Sequence, residues 1–217
     1  MPTKVEPLTA QDAAALDRDG YLLLRGAVPE AWREALRAAF DAGVGPPDQW
    51  AAPRGHGWRH ALVDLDPVVE RTCRLPALLA ASGRMLGGPF FICQVEGREP
   101  LLDGGQQALH RDGAGLNAVA ALVFLDPYGP DNGATRVVPR HLDPGEPDEA
   151  LAQILSGEAG DILVFDADLL HGATRNRSGA RRRSLLLSFK HEDDRPGEDA
   201  TRAVRNVRMD TREVFAL

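Results

Sequence analysis

From residue 90 onward the chain breaks into short apolar runs, none of them long enough for an ordinary helix. Phe90–Val95, Ala118–Leu125, Thr135–Val138, Asp161–Phe165 and Arg183–Phe189 are rich in Val, Ile, Leu and Phe. Turn signals separate them, among them Asp126-Pro127, Asp131-Asn132-Gly133 and Gly160-Asp161. Runs this short, spaced by chain breakers, bury their apolar surface by pairing as strands. They predict a mainly β protein, a sandwich or barrel with helices packed outside it. At 217 residues the chain is long enough to enclose such a core as one domain, with N-terminal helices over about 9–87 and the β core over about 90–190.

The N-terminal part reads differently. Thr9-Ala-Gln-Asp12 has the spacing of a capping box and opens an Ala-rich helix that Gly20 ends. Tyr21–Arg25 is a compact apolar strand. Pro29 suits a first helical position, with a helix over Ala31–Ala42 and Gly43 as its stop. Val44–Arg59, rich in Gly, Pro and Trp, has no period and reads as a long loop, a lid candidate. Residues 67–87 are mostly helical and close at Gly87-Gly88. Within the β region, Asp148–Leu155 reads as one inserted helix, and His191–Thr201 as a loose polar connection.

Composition excludes several classes. A net charge of −7 argues against a general nucleic-acid binder, which needs surplus Lys and Arg. Five arginines between Arg175 and Arg183 leave room for one local anion site. Cys73 and Cys93 are too few for a disulfide scaffold and too far apart for a zinc knuckle; they read as two buried thiols. Met1–Leu8 lacks the pattern of a signal peptide and no apolar run reaches bilayer length. The expectation is a soluble cytoplasmic protein that acts on a small molecule, with its oligomeric state open.

Of the six histidines, His110 stands in the most informative place, the triplet His110-Arg111-Asp112. In an extended segment alternate residues share a face, so the imidazole and the carboxylate project together. Gly104-Gly105 before and Gly113 after put the triplet at the mouth of a strand. His171, after the strand Asp161–Phe165 and before Gly172, fits as a third ligand. Two imidazoles and one carboxylate on one face of an octahedron leave three positions open, the arrangement of non-haem Fe(II) oxygenases. His-x-Asp alone is common by chance. Here Asn176 and then Arg181-Arg182-Arg183-Ser184 follow His171, and such an oxygenase needs a guanidinium for the far carboxylate of a 2-oxoacid. Arg182 and Ser184 share a face. Arg181 and Arg183 point the other way and read as solvated surface cations.

These segments, in order, resemble the phytanoyl-CoA dioxygenase family of Fe(II)- and 2-oxoglutarate-dependent oxygenases. Asp19-Gly-Tyr-Leu-Leu-Leu-Arg-Gly26 is similar to the family's N-terminal strand, and Gly105-Gln-Gln-Ala-Leu-His-Arg-Asp-Gly113 to its iron-binding segment. Asp131-Asn-Gly-Ala-Thr-Arg-Val-Val-Pro139 resembles its central hairpin, and Gly160-Asp-Ile-Leu-Val-Phe165 through His171, Asn176, Arg182 and Phe189 its distal segment. The resemblance implies a double-stranded β-helix (jelly-roll) fold. It also implies iron on His110, Asp112 and His171, with 2-oxoglutarate chelating it and reaching Arg182. O2 is then the oxidant, with succinate and CO2 as products beside a hydroxylated substrate. Pro139-Arg140-His141 departs from the family's Pro-Gly-Ser-His; His141 reads as structural. Retained Asp112 implies a hydroxylase, because related halogenases carry a small residue there.

Further residues carry two readings each. Gln107 reaches either the cosubstrate or the packing of its strand, and Thr135 either lines the cosubstrate pocket or fills a strand. Trp50, Trp58 and His60 close over substrate or anchor their loop. Arg98 points to an anionic substrate group or to Asp103. Asp166 and Asp168 read as loop acids. Two other functions stay open: a zinc hydrolase or isomerase on the same three ligands, which needs a nearby Glu or His as base, and a binding or sensor barrel without turnover.

Overall fold

Thr9 caps the first helix as its spacing requires: Thr9 Oγ1 accepts from Asp12 N, and helix α1 (Ala10–Asp19) stops at Gly20, whose φ of 76° is left-handed. The computed structural model describes residues 2–46, 49–50, 55–112 and 117–217. Strand β1 (Thr3–Lys4) precedes α1; strand β2 (Tyr21–Leu24), helix α2 (Glu30–Gly43), strand β3 (Trp58–Ala61) and helices α3 (Pro67–Thr72) and α4 (Pro76–Leu86) follow it. The β region holds β4 (Phe90–Pro100), β5 (Gln107–His110), β6 (Ala118–Phe124), β7 (Thr135–Val137), β8 (Gln153–Ile154), β9 (Ile162–Asp166), β10 (His171–Ala173) and β11 (Ser184–His191). Helix α5 (Arg195–Thr201) and strand β12 (Phe215–Ala216) end the chain.

The strands form two sheets, the mainly β jelly-roll. The larger runs β1-β12-β4-β11-β6-β9-β2, with β3 beside β4; the smaller runs β5-β10-β7-β8. All seven residues of β6 are buried, so it reads as one apolar run. Its two faces serve different cores. Val119, Ala121 and Val123 join Ile162 and Val164 of β9 and Leu185 and Leu187 of β11 against Leu36, Phe40, Val69 and Leu78 of the helices. Ala120, Leu122 and Phe124 join Leu163, Phe165 and Val137 inside the barrel. Burying each large side chain contributes roughly 2 kcal/mol. The helices therefore brace one face of the large sheet, and the other face is free to build a site.

Several elements differ from the sequence-based expectations. Pro29 is the N-cap of α2, one place before the helix, and Gly43 remains helical. Gly43 is required by contact: a Cβ there would lie 2.5 Å from Leu62 O. The loop ends sooner than Arg59, because Trp58–Ala61 pairs with β4; its residues 47–48 and 51–54, like Gly113, lie outside the described residues. The expected helix at Asp148–Leu155 is a single 3-10 turn, Glu149–Leu151, before β8, which takes its register from β7. The expected loose connection after His191 contains α5, held by Lys190 and Arg205 pairing with Glu198. Beside the expected strand β2 the N-terminal part also holds β3, and both extend the large sheet. Cys73 and Cys93 are buried free thiols, both pushed up to about 12 by burial.

Candidate metal centre

The small sheet brings His110 and His171 together by register: they are direct partners across the antiparallel β5–β10 ladder. Each imidazole is oriented by its own strand. His110 Nδ1 lies 2.9 Å from Ala108 O and His171 Nδ1 lies 2.8 Å from Leu169 O. A carbonyl only accepts, so both Nδ1 atoms donate, and in the neutral form of each ring Nε2 presents a lone pair. Asp112 follows β5, its backbone N donating to Ala167 O at 3.1 Å. Its Oδ1 lies 3.5 Å from His110 Nε2 and its Oδ2 lies 3.7 Å from His171 Nε2. One ligand atom from each residue falls within 4.8 Å of the others.

Electrostatics separates the three groups. A hydrogen bond with Asp112 raises the His110 pKa, and the same contact holds the Asp112 carboxyl below its ordinary range. Burial lowers that of His171, which packs beside Phe165 with centroids 5.0 Å apart, and so favours its neutral imidazole.

A cavity of about 110 Å³ opens on this cluster. Gln107, Thr135, Ser184, Trp58, Arg98 and Arg182 line it together with Leu122, Phe165 and Leu186. Arg182 is 2% exposed and has no carboxylate partner among the described residues. Its guanidinium lies 4.5 Å from the Tyr128 ring and 5.4 Å from Trp58, and its Nε lacks a hydrogen bond. Burial lowers its pKa. Tyr128 in turn stacks on Phe124 at 3.5 Å. A buried cation without an anion is costly unless a ligand supplies one. Two neutral imidazoles, a carboxylate and this cationic seat fit a divalent metal holding a dicarboxylate. Ser184 Oγ donates to Arg98 O at 3.1 Å, so its proton is committed and only its lone pairs face the cavity.

The remaining candidates fall elsewhere. Trp50 meets His60 edge to face at 5.7 Å, outside the cavity lining. Arg98 pairs with Glu96, not with Asp103. His141 meets Asp19 at 3.0 Å, and Asp166 pairs with Arg140 and caps Asp168 N, so neither is a ligand. Arg183 is not a solvated cation, and Arg181, though exposed as expected, is paired. Arg181 binds Glu99 and Asp41; Arg183, 8% exposed, binds Asp126 and Asp41. These pairs clamp the segment on both sides of Arg182. Sequence reasoning missed Tyr128; its place just after the Asp126-Pro127 turn and before the hairpin was the available signal.

Fold and site together define a metal-dependent oxygenase of the jelly-roll type. The chain belongs to the phytanoyl-CoA dioxygenase family, whose model matches residues 16–184. Members of this class use Fe(II), 2-oxoglutarate and O2, and the chain is a dioxygenase of that class. It is 26% identical over 182 residues to L-proline trans-4-hydroxylase of Streptomyces griseoviridis, covering 63% of this chain and 68% of that one. Among solved structures it is similar to HygX of Streptomyces hygroscopicus with nickel and 2-oxoglutarate bound, at 18% identity, TM-score 0.71, and 85% and 88% coverage. It is also similar to EctD of S. alaskensis with 2-oxoglutarate and 5-hydroxyectoine, at 23% identity, TM-score 0.68, and 86% and 77% coverage. No helix among the described residues is long and apolar enough to cross a membrane.

Proposed function

We propose that the chain hydroxylates a small organic metabolite, with residues 1–217 acting as one oxygenase domain in the cytoplasm. The carrying observation is that the His110–Asp112–His171 cluster and the buried, anion-less Arg182 line one cavity. His110, Asp112 and His171 would hold Fe(II). Arg182 would hold the far carboxylate of 2-oxoglutarate, with Gln107, Thr135 and the Ser184 lone pairs around it. With both bound, O2 would be the oxidant, one of its atoms converting a substrate C–H to C–OH and the other entering succinate as 2-oxoglutarate loses CO2. The protein's part is orientation and dryness: the backbone carbonyls fix both imidazoles, and Tyr128 and Trp58 shield the guanidinium from water. The hydrolase reading lacks its base, since no Glu and no further His lines the cavity among the described residues. Retained Asp112 supports hydroxylation over halogenation.

Anaerobic addition of Fe(II) and 2-oxoglutarate should produce a visible charge-transfer band. His110→Ala or Asp112→Ala should abolish it, and Arg182→Ala should weaken 2-oxoglutarate binding. A protein that holds zinc tightly and ignores 2-oxoglutarate would overturn this assignment in favour of the hydrolase.

A further inference from the structure

The cavity holds a second guanidinium that the cosubstrate does not need. On β4, Gln94, Glu96 and Arg98 alternate onto the barrel's inner face, and Arg98 is the register partner of Ser184 on β11. Arg98 lines the same cavity as the His110–Asp112–His171 cluster and Arg182. The two arginines sit at different depths. Arg182 is sealed between Tyr128 and Trp58, whereas the Arg98 side chain is 31% exposed and reachable from outside.

Arg98 is also held. Its Nε donates to Glu96, a carboxylate 1% exposed, whose other oxygen accepts from Gln94 Nε2 at 3.3 Å. No other hydrogen bond from a described residue reaches the Arg98 guanidinium, so its two terminal NH2 groups remain for a ligand. A dicarboxylate chelated on the metal has one far carboxylate, and the deep, anion-less Arg182 accounts for it. The outer fork is then left for a second molecule. Its planar pair of donors matches a carboxylate bidentately. With Glu96 beside it, Arg98 brings no surplus charge to balance a phosphate dianion, so the fork's match is by hydrogen-bond geometry to a carboxylate.

Resting on the dioxygenase reading above, we infer that Arg98 is a specificity-determining residue that binds the carboxylate of the substrate, which is therefore a small carboxylic acid. Glu96 is its positioning residue, fixing the fork so that the acid's carbon skeleton reaches over the metal cluster. A site built for a hydrogen-bonded anion rejects the neutral isostere strongly, because the cation is then left unpaired.

The test is succinate release from the Fe(II)-loaded protein with 2-oxoglutarate. The probes are a panel of small amino, imino and hydroxy acids, L-proline among them, each beside its carboxamide. At least one acid should accelerate release tenfold or more, and its amide should do so at least tenfold less well. Arg98→Gln should raise the KM of that acid at least tenfold, Arg98→Lys should recover part of the loss, and the KM for 2-oxoglutarate should move less than twofold. Amides as effective as acids, a panel without any accelerating acid, or a 2-oxoglutarate KM that shifts as far as that of the acid would each overturn the inference. The acid–amide comparison needs no variant and stands even if Arg98→Gln misfolds. If the wild-type protein neither binds nor turns over 2-oxoglutarate, the dioxygenase reading falls and takes this inference with it, a result distinct from the others.

Discussion

His110 and His171 are direct register partners on β5 and β10, with imidazole centroids 4.5 Å apart. The separation depends on how closely the two strands approach at the next residue, Gly172. A Cβ there would lie 2.7 Å from Gln107 O and 2.9 Å from Ala108 O, both backbone atoms that cannot swing aside. Ala108 O also orients His110. Gly172→Ala should therefore push β5 away and lower Fe(II) affinity on the order of tenfold or more, at a stability cost of about 1–3 kcal/mol. Metal titration and thermal melting check this, and an unchanged iron affinity would refute it.

Arg182→Met separates binding from folding. Replacing a buried charge without an anion partner by an apolar side chain is often neutral or stabilising. The metal-free variant should melt no lower than wild type, while its KM for 2-oxoglutarate rises by roughly 10- to 150-fold, the worth of about 1.5–3 kcal/mol of charged hydrogen bonding. Arg182→Lys should recover little, because a point charge does not reproduce the fork. A variant that melts lower and keeps its 2-oxoglutarate KM would reverse the assignment of Arg182 from ligand seat to structural support.

Asp126 links stability to pH. Burial alone pushes its carboxyl up, but Arg183 outweighs that with hydrogen bonds from its backbone N, Nε and Nη2 at 2.8, 2.9 and 2.9 Å, leaving the pKa lowered. A depressed carboxyl contributes stability that is present above the unfolded value of about 3.9 and lost as pH falls through the folded one. Asp126→Asn should cost about 3–5 kcal/mol at pH ~7, the range for breaking a buried pair. Urea unfolding should show the gap to wild type closing on acidification. A gap that widens below pH ~4 would contradict the linkage.

Asn176 ties the loop before Arg182 to β4. Its Nδ2 donates to Pro100 O and Ala180 O, and its Oδ1 accepts from Ser178 Oγ and Gly179 N. At 1% exposure no water replaces these contacts, so Asn176→Ala should destabilise by about 2–3 kcal/mol, seen as a Tm lower by roughly 4–12 °C. Asn176→Asp should be at least as harmful, since it sets a carboxylate against two carbonyls. A melting temperature within a degree or two of wild type for either variant would show that the loop holds without this side chain.

The chain itself specified whatever depends on neighbours in sequence. The Thr9–Asp12 cap, the Gly20 and Gly87 stops and the apolar runs of β4, β6, β9 and β11 act through local geometry and period, and so were legible. The order of His110, Asp112, His171 and Arg182 was legible for the same reason, as a series of motifs. What required the tertiary structure was the choice of partner between remote segments. Gly43 looked like a helix stop because its collision with Leu62 is non-local, and β8 looked helical because its register comes from β7. Arg181 and Arg183 looked solvated because Glu99, Asp41 and Asp126 reach them only when β4, α2 and the turn after β6 converge. Arg98 is the sharpest case: two partners were open in sequence, and the fold gave it Glu96 and a place in the cavity. Short-range order follows from propensity and period, whereas burial and pairing follow from which strands meet, and only folding decides that.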